Sequence, residues 1–232
     1  MIRDRETLNQ LLALIDRFVT ERLIPRESEL AESGSLPEDI LDEMKAMGLF
    51  GLTIPEEYGG LGLTMEEEIE VAISLGKTSP AFRSVMGTNN GIGSAAIVFN
   101  GTEEQKKRYL PKYASGEWIS CFCLTEPEAG SDAASLKTSA VRDGDHYVIN
   151  GTKRYITNAK VADTFNVMAR TNPSIKGARG ISSFIVEKDF KGITLGSVDK
   201  KMGQAGSMTC DVIFEDCRVP AENIIGAEGE GF

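Results

Sequence analysis

Residues 102–125 read TEEQKKRYLPKYASGEWISCFCLT, and the rhythm of the chain changes inside them. Thr102 with Gln105 three positions later is a capping-box pattern that opens a helix. Glu103 with Lys107, and Glu104 with Arg108, stand four apart, the spacing of ion pairs along one helix face. Near Gly116 the helical pattern ends. Residues 118–125 then read as a strand, with Cys121 and Cys123 two apart and therefore on one side of it.

Working outward, the upstream chain keeps a helical period. Leu8, Leu11, Leu12, Ile15 and Phe18 follow the spacing of one buried helix face. Ser35 with Glu38 forms another capping-box pattern, with Pro37 in the first turn and Ile40, Leu41 and Met44 behind it. Gly48 ends that helix. Turn-forming residues fill 54–62. Thr64 and Glu67 open a further helix with Met65, Ile69, Ala72 and Ile73 on one face, and residues 85–99 read as a more buried helix.

Downstream the period is that of strands. Asp143-Gly144-Asp145 is a hairpin turn between Ala140-Val141 and Tyr147-Val148-Ile149, and Asn150-Gly151 reads as a second turn before Tyr155-Ile156-Thr157. Residues 165–169, 181–186 and 211–214 complete the strands. These patterns predict an α+β protein: a helical N-terminal domain over 1–117, then an antiparallel β-barrel or sandwich over 118–232 that runs into a glycine-rich linker at 226–232.

Composition narrows the function classes. The formal net charge of −10 argues against nucleic acid as a partner. A small phosphorylated ligand remains compatible, because backbone N–H groups bind phosphate in an acidic protein. No stretch approaches the roughly 18 apolar residues of a membrane span. Arg3, Asp4, Arg5 and Glu6 place charge where a secretory signal would be apolar. The four cysteines, Cys121, Cys123, Cys210 and Cys217, lack metal-ligand spacing and read as buried free thiols of a reducing cytoplasm. His146 is the only histidine, follows a turn, and reads as a surface strand residue.

One segment carries possible chemistry, CFCLTEPEAGSD at 121–132. The strand is stopped by Pro127, a tight turn follows at Ala129-Gly130, and Ser131 and Asp132 come next. Small residues there let the backbone approach a ligand, and its N–H groups can form an anion nest. The same composition also describes a plain strand end with an Asp or Ser cap. Glu126 and Glu128 flank Pro127 and suit turn or surface roles better than catalysis. The run GIGSAA at 91–96 matches a dinucleotide fingerprint, but no hydrophobic strand precedes it and no βαβ unit follows, so it reads as close packing between helices.

Six stretches in order resemble the acyl-CoA dehydrogenase family: IPEEYGGLG at 54–62, GTEEQKKRYLP at 101–111, LTEPEAGSD at 124–132, NGTKRYITN at 150–158, FEDCRVP at 214–220 and GEGF at 229–232. The resemblance implies a helical N-terminal domain, a β-barrel-like middle domain and a helical C-terminal domain. It implies non-covalently bound FAD, an acyl-CoA substrate oxidised to a 2-enoyl-CoA, transfer of electrons to an electron-transferring flavoprotein, and a homodimer or homotetramer. It places Phe122, Cys123, Leu124 and Thr125 along the isoalloxazine, with Thr125 at the pyrimidine edge. Gly130 and Ser131 fall at the pyrophosphate, and Ser131 also at the CoA-bearing substrate. Tyr155, Ile156 and Thr157 cover the other flank, with the Thr157 hydroxyl near N5.

Two positions depart from the family pattern. Tyr155 stands where many members carry Trp, which keeps an aromatic platform. Glu128 stands where many carry Gly, and is compatible with a phosphate site if its side chain points to solvent. The family's catalytic glutamate belongs to the C-terminal domain, so the expectation is a piece that ends before that residue, inactive alone, with no catalytic residue assigned here. Two other readings stand beside this one: a relative of the same fold that performs flavin monooxygenase or nitroalkane oxidase chemistry, and a non-catalytic flavin- or partner-binding module.

Overall fold

The computed structural model describes residues 5–232, so Arg3 and Asp4 of the N-terminal charged run lie outside the described residues. Helices α1 (Arg5–Phe18), α2 (Glu27–Ser33) and α3 (Glu38–Ala46) come first, followed by α4 (Met65–Leu75), α5 (Pro80–Asn90), α6 (Ala95–Asn100) and α7 (Glu103–Ser115). Their core gathers Ile15, Phe18, Leu23, Ile40, Met44, Phe50, Val71, Leu75 and Phe82. The periodicity of α1 holds: Leu8, Ile15 and Phe18 are buried.

The caps at Thr64 and Thr102 form as the sequence predicts. The one at Ser35 does not. Pro37 takes the N-cap position in an extended conformation, so Glu38 is the first helical residue rather than the third, and the Ser35 carbonyl instead accepts from the Ser33 hydroxyl. On α7, Glu103 pairs with Lys106, and Arg108 reaches across to Glu187, in place of the two expected pairs four apart. On α4 the buried side is Val71, Ser74 and Leu75; Met65, Ile69 and Ile73 face outward.

Residues 85–99 are two helices, not one. The break at Gly91–Ser94 follows from crowding, since a Cβ at Gly93 would sit 2.1 Å from Ser120 Oγ and 2.7 Å from the Thr88 carbonyl. At Gly93 the close packing read from GIGSAA is against a strand and the end of α5, while Ala96 packs against the cluster that holds Tyr109, Leu110 and Tyr113 of α7. Phe99, beyond the break, is exposed.

The second half is one eight-stranded sheet of β1 (Ser120–Cys123), β2 (Ser139–Asp143), β3 (His146–Thr157), β4 (Thr164–Arg170), β5 (Ile181–Glu187), β6 (Ile193–Leu195), β7 (Thr209–Pro220) and β8 (Ile224–Ile225). Its order is β6-β7-β3-β2-β4-β5-β8, with β1 on β4. Most pairs are antiparallel, as expected; β1 with β4 and a single contact of β2 with β4 are parallel. The hairpin at 143–145 forms with Asp143 opposite His146. Asn150-Gly151 lies inside β3 and is not a turn; there Asn150 faces a bulge on β7, where Glu215 and Asp216 stand opposite it. Asn150 bonds both the backbone and the carboxylate of Asp216 on β7, and Gly151, at φ 151°, leaves no room for a side chain beside Thr138.

The sheet core holds Tyr147, Ile149, Phe165, Val167, Phe184, Val212 and Phe214 with all four cysteines, which are free and buried. The Cys121 and Cys123 sulfurs lie 3.9 Å apart on the expected common side. Burial pushes the Cys217 thiol up to about 11 and raises those of Cys121 and Cys210, and with no surface exposed all four act as packing groups. His146 is half-buried at the start of β3, beside the Asp145 carboxylate. Among the described residues no helix is long and apolar enough to cross a membrane.

Two buried polar groups fasten these layers. Asn89, on α5, is fully buried. Its Nδ2 donates to the Tyr113 and Trp118 carbonyls at 3.0 and 2.8 Å, and its Oδ1 accepts from Ser120 N–H and Oγ at 2.8 and 3.0 Å. It joins α5, the end of α7 and β1 with one amide. Lys153, on β3, has no exposed surface, and its Nζ lies 2.9 Å from Glu126 Oε1 and 3.1 Å from the Leu124 carbonyl. Glu126 also accepts from the N–H groups of Lys137 at 2.6 Å and Thr138 at 2.9 Å. Burial alone pushes the Glu126 carboxyl up, but the Lys153 charge and these donors outweigh it and hold it below the usual range. Burial pulls Lys153 down, and Glu126 offsets only part of that.

Asn89→Ala orphans the Ser120 N–H and the Trp118 carbonyl, and urea unfolding is expected to show a loss of about 2–3 kcal/mol. For Glu126 the folded carboxyl lies below its unfolded value near ~4.3, so its stabilisation is complete above that pH and is lost as pH falls through the folded value. Glu126→Gln is expected to cost about 3 kcal/mol at neutral pH, with the deficit narrowing on acidification below pH ~4. A deficit that stays constant in acid would contradict this assignment.

Candidate functional site

Strand β1 delivers its residues to opposite faces. Cys121 and Cys123 enter the core, while Phe122 and Leu124 turn to the other face beside Ala129, Leu136, Met168 and Ile181. Past the strand, Glu126 and Ala129 exchange backbone hydrogen bonds of 3.0 and 3.2 Å. The tight turn therefore has Pro127-Glu128 at its corner, earlier than the Ala129-Gly130 position expected, because the fixed φ of Pro127 suits the first corner residue. Glu128 points to solvent and pairs with Lys137. Gly130, Ser131 and Asp132 follow as exposed backbone.

Both sides of this exposed stretch are held. Arg170 donates to the Ala134 carbonyl at 2.8 Å and the Leu136 carbonyl at 3.2 Å, and Asp132 bonds the Ser135 hydroxyl. Within the described residues, the N–H groups of Thr125, Gly130, Ser131 and Asp132 donate to no protein group. They form a strip of free donors on a fixed frame, the arrangement that binds anions and heterocycle edges. A Cβ added at Gly130 would meet nothing within 4 Å, so the space beside that backbone is open.

The second stretch is the end of β3, brought to the first by a 2.8 Å bond from Arg154 N–H to the Thr125 carbonyl. Alternation from Tyr147 and Ile149 through Lys153 would send Tyr155 inward. A bulge between Lys153 and Ile156 reverses it. Tyr155 takes φ 60° and is 61% exposed, whereas Ile156 enters the core. The Arg154 guanidinium lies 4.4 Å from the Tyr155 ring centre and is itself held by Asp211 at 2.6 Å and Asp199 at 3.3 Å. Thr157 is half-buried. Asn158, at φ 66°, donates to the Ser84 and Val85 carbonyls and to Thr88 Oγ1, anchoring the strand end to α5.

The structure thus places Phe122, Leu124, Thr125, Tyr155 and Thr157 with accessible side chains, and Gly130 and Ser131 on the exposed loop. Cys123 and Ile156 have their side chains in the core, so they offer a ligand only backbone. Sequence reasoning missed Lys153, Arg154 and Asn158. A signal existed for Lys153: it occupies an inward position of an alternating strand, where a charge demands a partner. Among the described residues no group of three or more His, Cys, Asp or Glu is placed to hold a metal.

The family model of the acyl-CoA dehydrogenase N-terminal domain matches residues 5–117, and that of the middle domain matches residues 121–217. A short-chain specific acyl-CoA dehydrogenase of Clostridium acetobutylicum is 40% identical over 232 residues, covering 100% of this chain and 60% of that protein. The crystal structure of acyl-CoA dehydrogenase from Geobacillus kaustophilus superposes with a TM-score of 0.92 at 36% identity, over 100% of this chain and 61% of that one. That of a Bacillus anthracis acyl-CoA dehydrogenase complexed with FAD gives 0.87 at 37% identity, over 99% and 40%. The chain spans about 60% of the length of the first of these relatives. With both domain models matched in order and the fold shared throughout, the chain belongs to the acyl-CoA dehydrogenase family.

Proposed function

We propose that this chain is the flavin-holding part of an enzyme that oxidises the Cα–Cβ bond of an acyl-CoA thioester to the 2-enoyl-CoA. Residues 1–117 are its helical domain and 118–232 its middle domain. The observation that carries the reading is the strip of unpartnered N–H donors at Thr125 and Gly130–Asp132, joined through the Thr125 carbonyl to Arg154, the residue before the exposed ring of Tyr155. A flavin dinucleotide has a planar ring with a polar edge and a pyrophosphate, and the two stretches match those needs in kind: donors and hydroxyls on one, an aromatic face on the other. The relative complexed with FAD supports the same cofactor.

Bound FAD supplies the two-electron acceptor for the oxidation. The chain's own residues hold and orient. Phe122 and Leu124 line the ring with their side chains and Cys123 through its backbone alone. Thr125 donates to the pyrimidine edge. Gly130 and Ser131 bind the pyrophosphate, with Ser131 also meeting the CoA-bearing substrate. Tyr155 would close the other flank with its ring and Ile156 with its backbone alone, and the Thr157 hydroxyl would hydrogen-bond near the reacting edge, where preorganised donors favour the reduced ring. No residue of this chain is assigned as the base that takes the α-proton. The whole protein is read as a cytoplasmic homodimer or homotetramer that passes electrons to an electron-transferring flavoprotein.

Gly130 tests this cleanly. Its φ is not left-handed and the space around it is open, so Gly130→Val leaves the fold intact while filling the approach to the backbone donors. Titration of the chain with FAD, followed by quenching of flavin fluorescence, is expected to show binding weakened about tenfold or more in the variant. Equal affinity in a variant with the parent's unfolding curve would count against the pyrophosphate assignment.

A further inference from the structure

Between Leu124 and Thr138 the chain leaves the sheet, makes the Pro127 corner, exposes Gly130–Asp132 and returns to β2. Glu126 stands near the departing end of that loop and its side chain bonds the returning end. Its carboxylate accepts from Lys137 N–H and Thr138 N–H at the returning end, while Lys153 binds that carboxylate and the Leu124 carbonyl at the departing end. Lys153 also belongs to β3, two residues before Tyr155, and the next residue, Arg154, bonds the Thr125 carbonyl. The pair therefore bonds Leu124 at the end of one stretch, sits on β3 two residues before Tyr155 in the other, and closes the loop that carries Gly130–Asp132, yet it is buried and offers no atom to a ligand itself.

Resting on that reading, we propose that Glu126 and Lys153 are positioning residues: a buried clasp that shuts the 124–138 loop and sets the pyrophosphate donors of Gly130–Asp132 in register with the ring-binding ends of β1 and β3. A neutral amide at 126 keeps at most one of the Lys137 and Thr138 bonds, a shortened partner reaches neither, and either lets the loop move relative to Thr125 and Tyr155. Burial of an ion pair is costly compared with apolar packing, and its retention here is accounted for by the loop geometry it enforces. The neighbouring Glu128–Lys137 pair joins the corner to the same returning end, but both side chains are exposed and neither bonds β1 or β3, so it serves as the control.

The test uses the chain with Glu126→Gln, Lys153→Met and, as control, Glu128→Gln, at a temperature where circular dichroism shows each folded. Trypsin cleavage after Lys137 is compared with cleavage after Lys112 on α7. Opening of the clasp accelerates the first about tenfold and not the second, since loss of a charge-assisted bond is worth that factor, whereas global destabilisation accelerates both. FAD affinity is expected to fall about tenfold in the two clasp variants and not in the control, with a change in the visible spectrum of the bound flavin. If Glu126→Gln does not fold, Glu126→Asp, which keeps the charge but not the reach, is expected to show the same selective cleavage. Unchanged relative cleavage, or FAD binding and spectrum equal to the parent's, overturns the proposal. A parent chain that binds no FAD overturns the flavin reading and the ligand half of the proposal together, while the cleavage ratio still decides whether the clasp exists.

Discussion

A lysine with no exposed surface, held between a carboxylate and a backbone carbonyl, is the constraint around which the sheet half is arranged. Each charge would cost several kcal/mol to bury alone. Together they are tolerable because both oxygens of the Glu126 carboxylate also accept from backbone N–H groups. The consequence is geometric. The exit of β1, the return into β2 and the middle of β3 are fixed at one point, and the polar stretch between them is left with its amides free.

The helical half is joined to this frame by similar means. Asn89 uses all of its amide bonds on α7, Trp118 and β1, and Asn158 uses its Nδ2 on α5. Buried amides of this kind demand particular partners at particular distances, unlike apolar contacts, which accept many arrangements. They set the helices at a definite place against the end of β3, where the bulge has already turned Tyr155 outward. The arginine beside that ring, itself gripped by Asp199 and Asp211, keeps the exposed tyrosine from being merely loose.

The order of helices and strands was legible in the residues, as were the caps at Thr64 and Thr102 and the hairpin at 143–145, because each is decided by neighbours within a few positions. The errors share one cause. Ser35 looks like a cap until Pro37 claims the position. Asn150-Gly151 looks like a turn until Asp216 on another strand satisfies the asparagine. Residues 85–99 look like one helix until Ser120 leaves no space for a side chain at Gly93. In each, a partner far along the chain overrides a sound local preference.

For the candidate site the division is the same. The sequence by itself determined the switch from helix to strand near Gly116, the family, and the two stretches at 122–131 and 155–157, since motifs and periodicity are properties of consecutive residues. Only the tertiary structure decided which of those residues show a side chain and which only backbone, because a single bulge reverses the facing of everything after it. It alone also decided that Glu126 belongs with Lys153, 27 positions away. A charge pair in the interior is chosen by distance in space, and nothing in the spacing of two residues along a chain carries that distance.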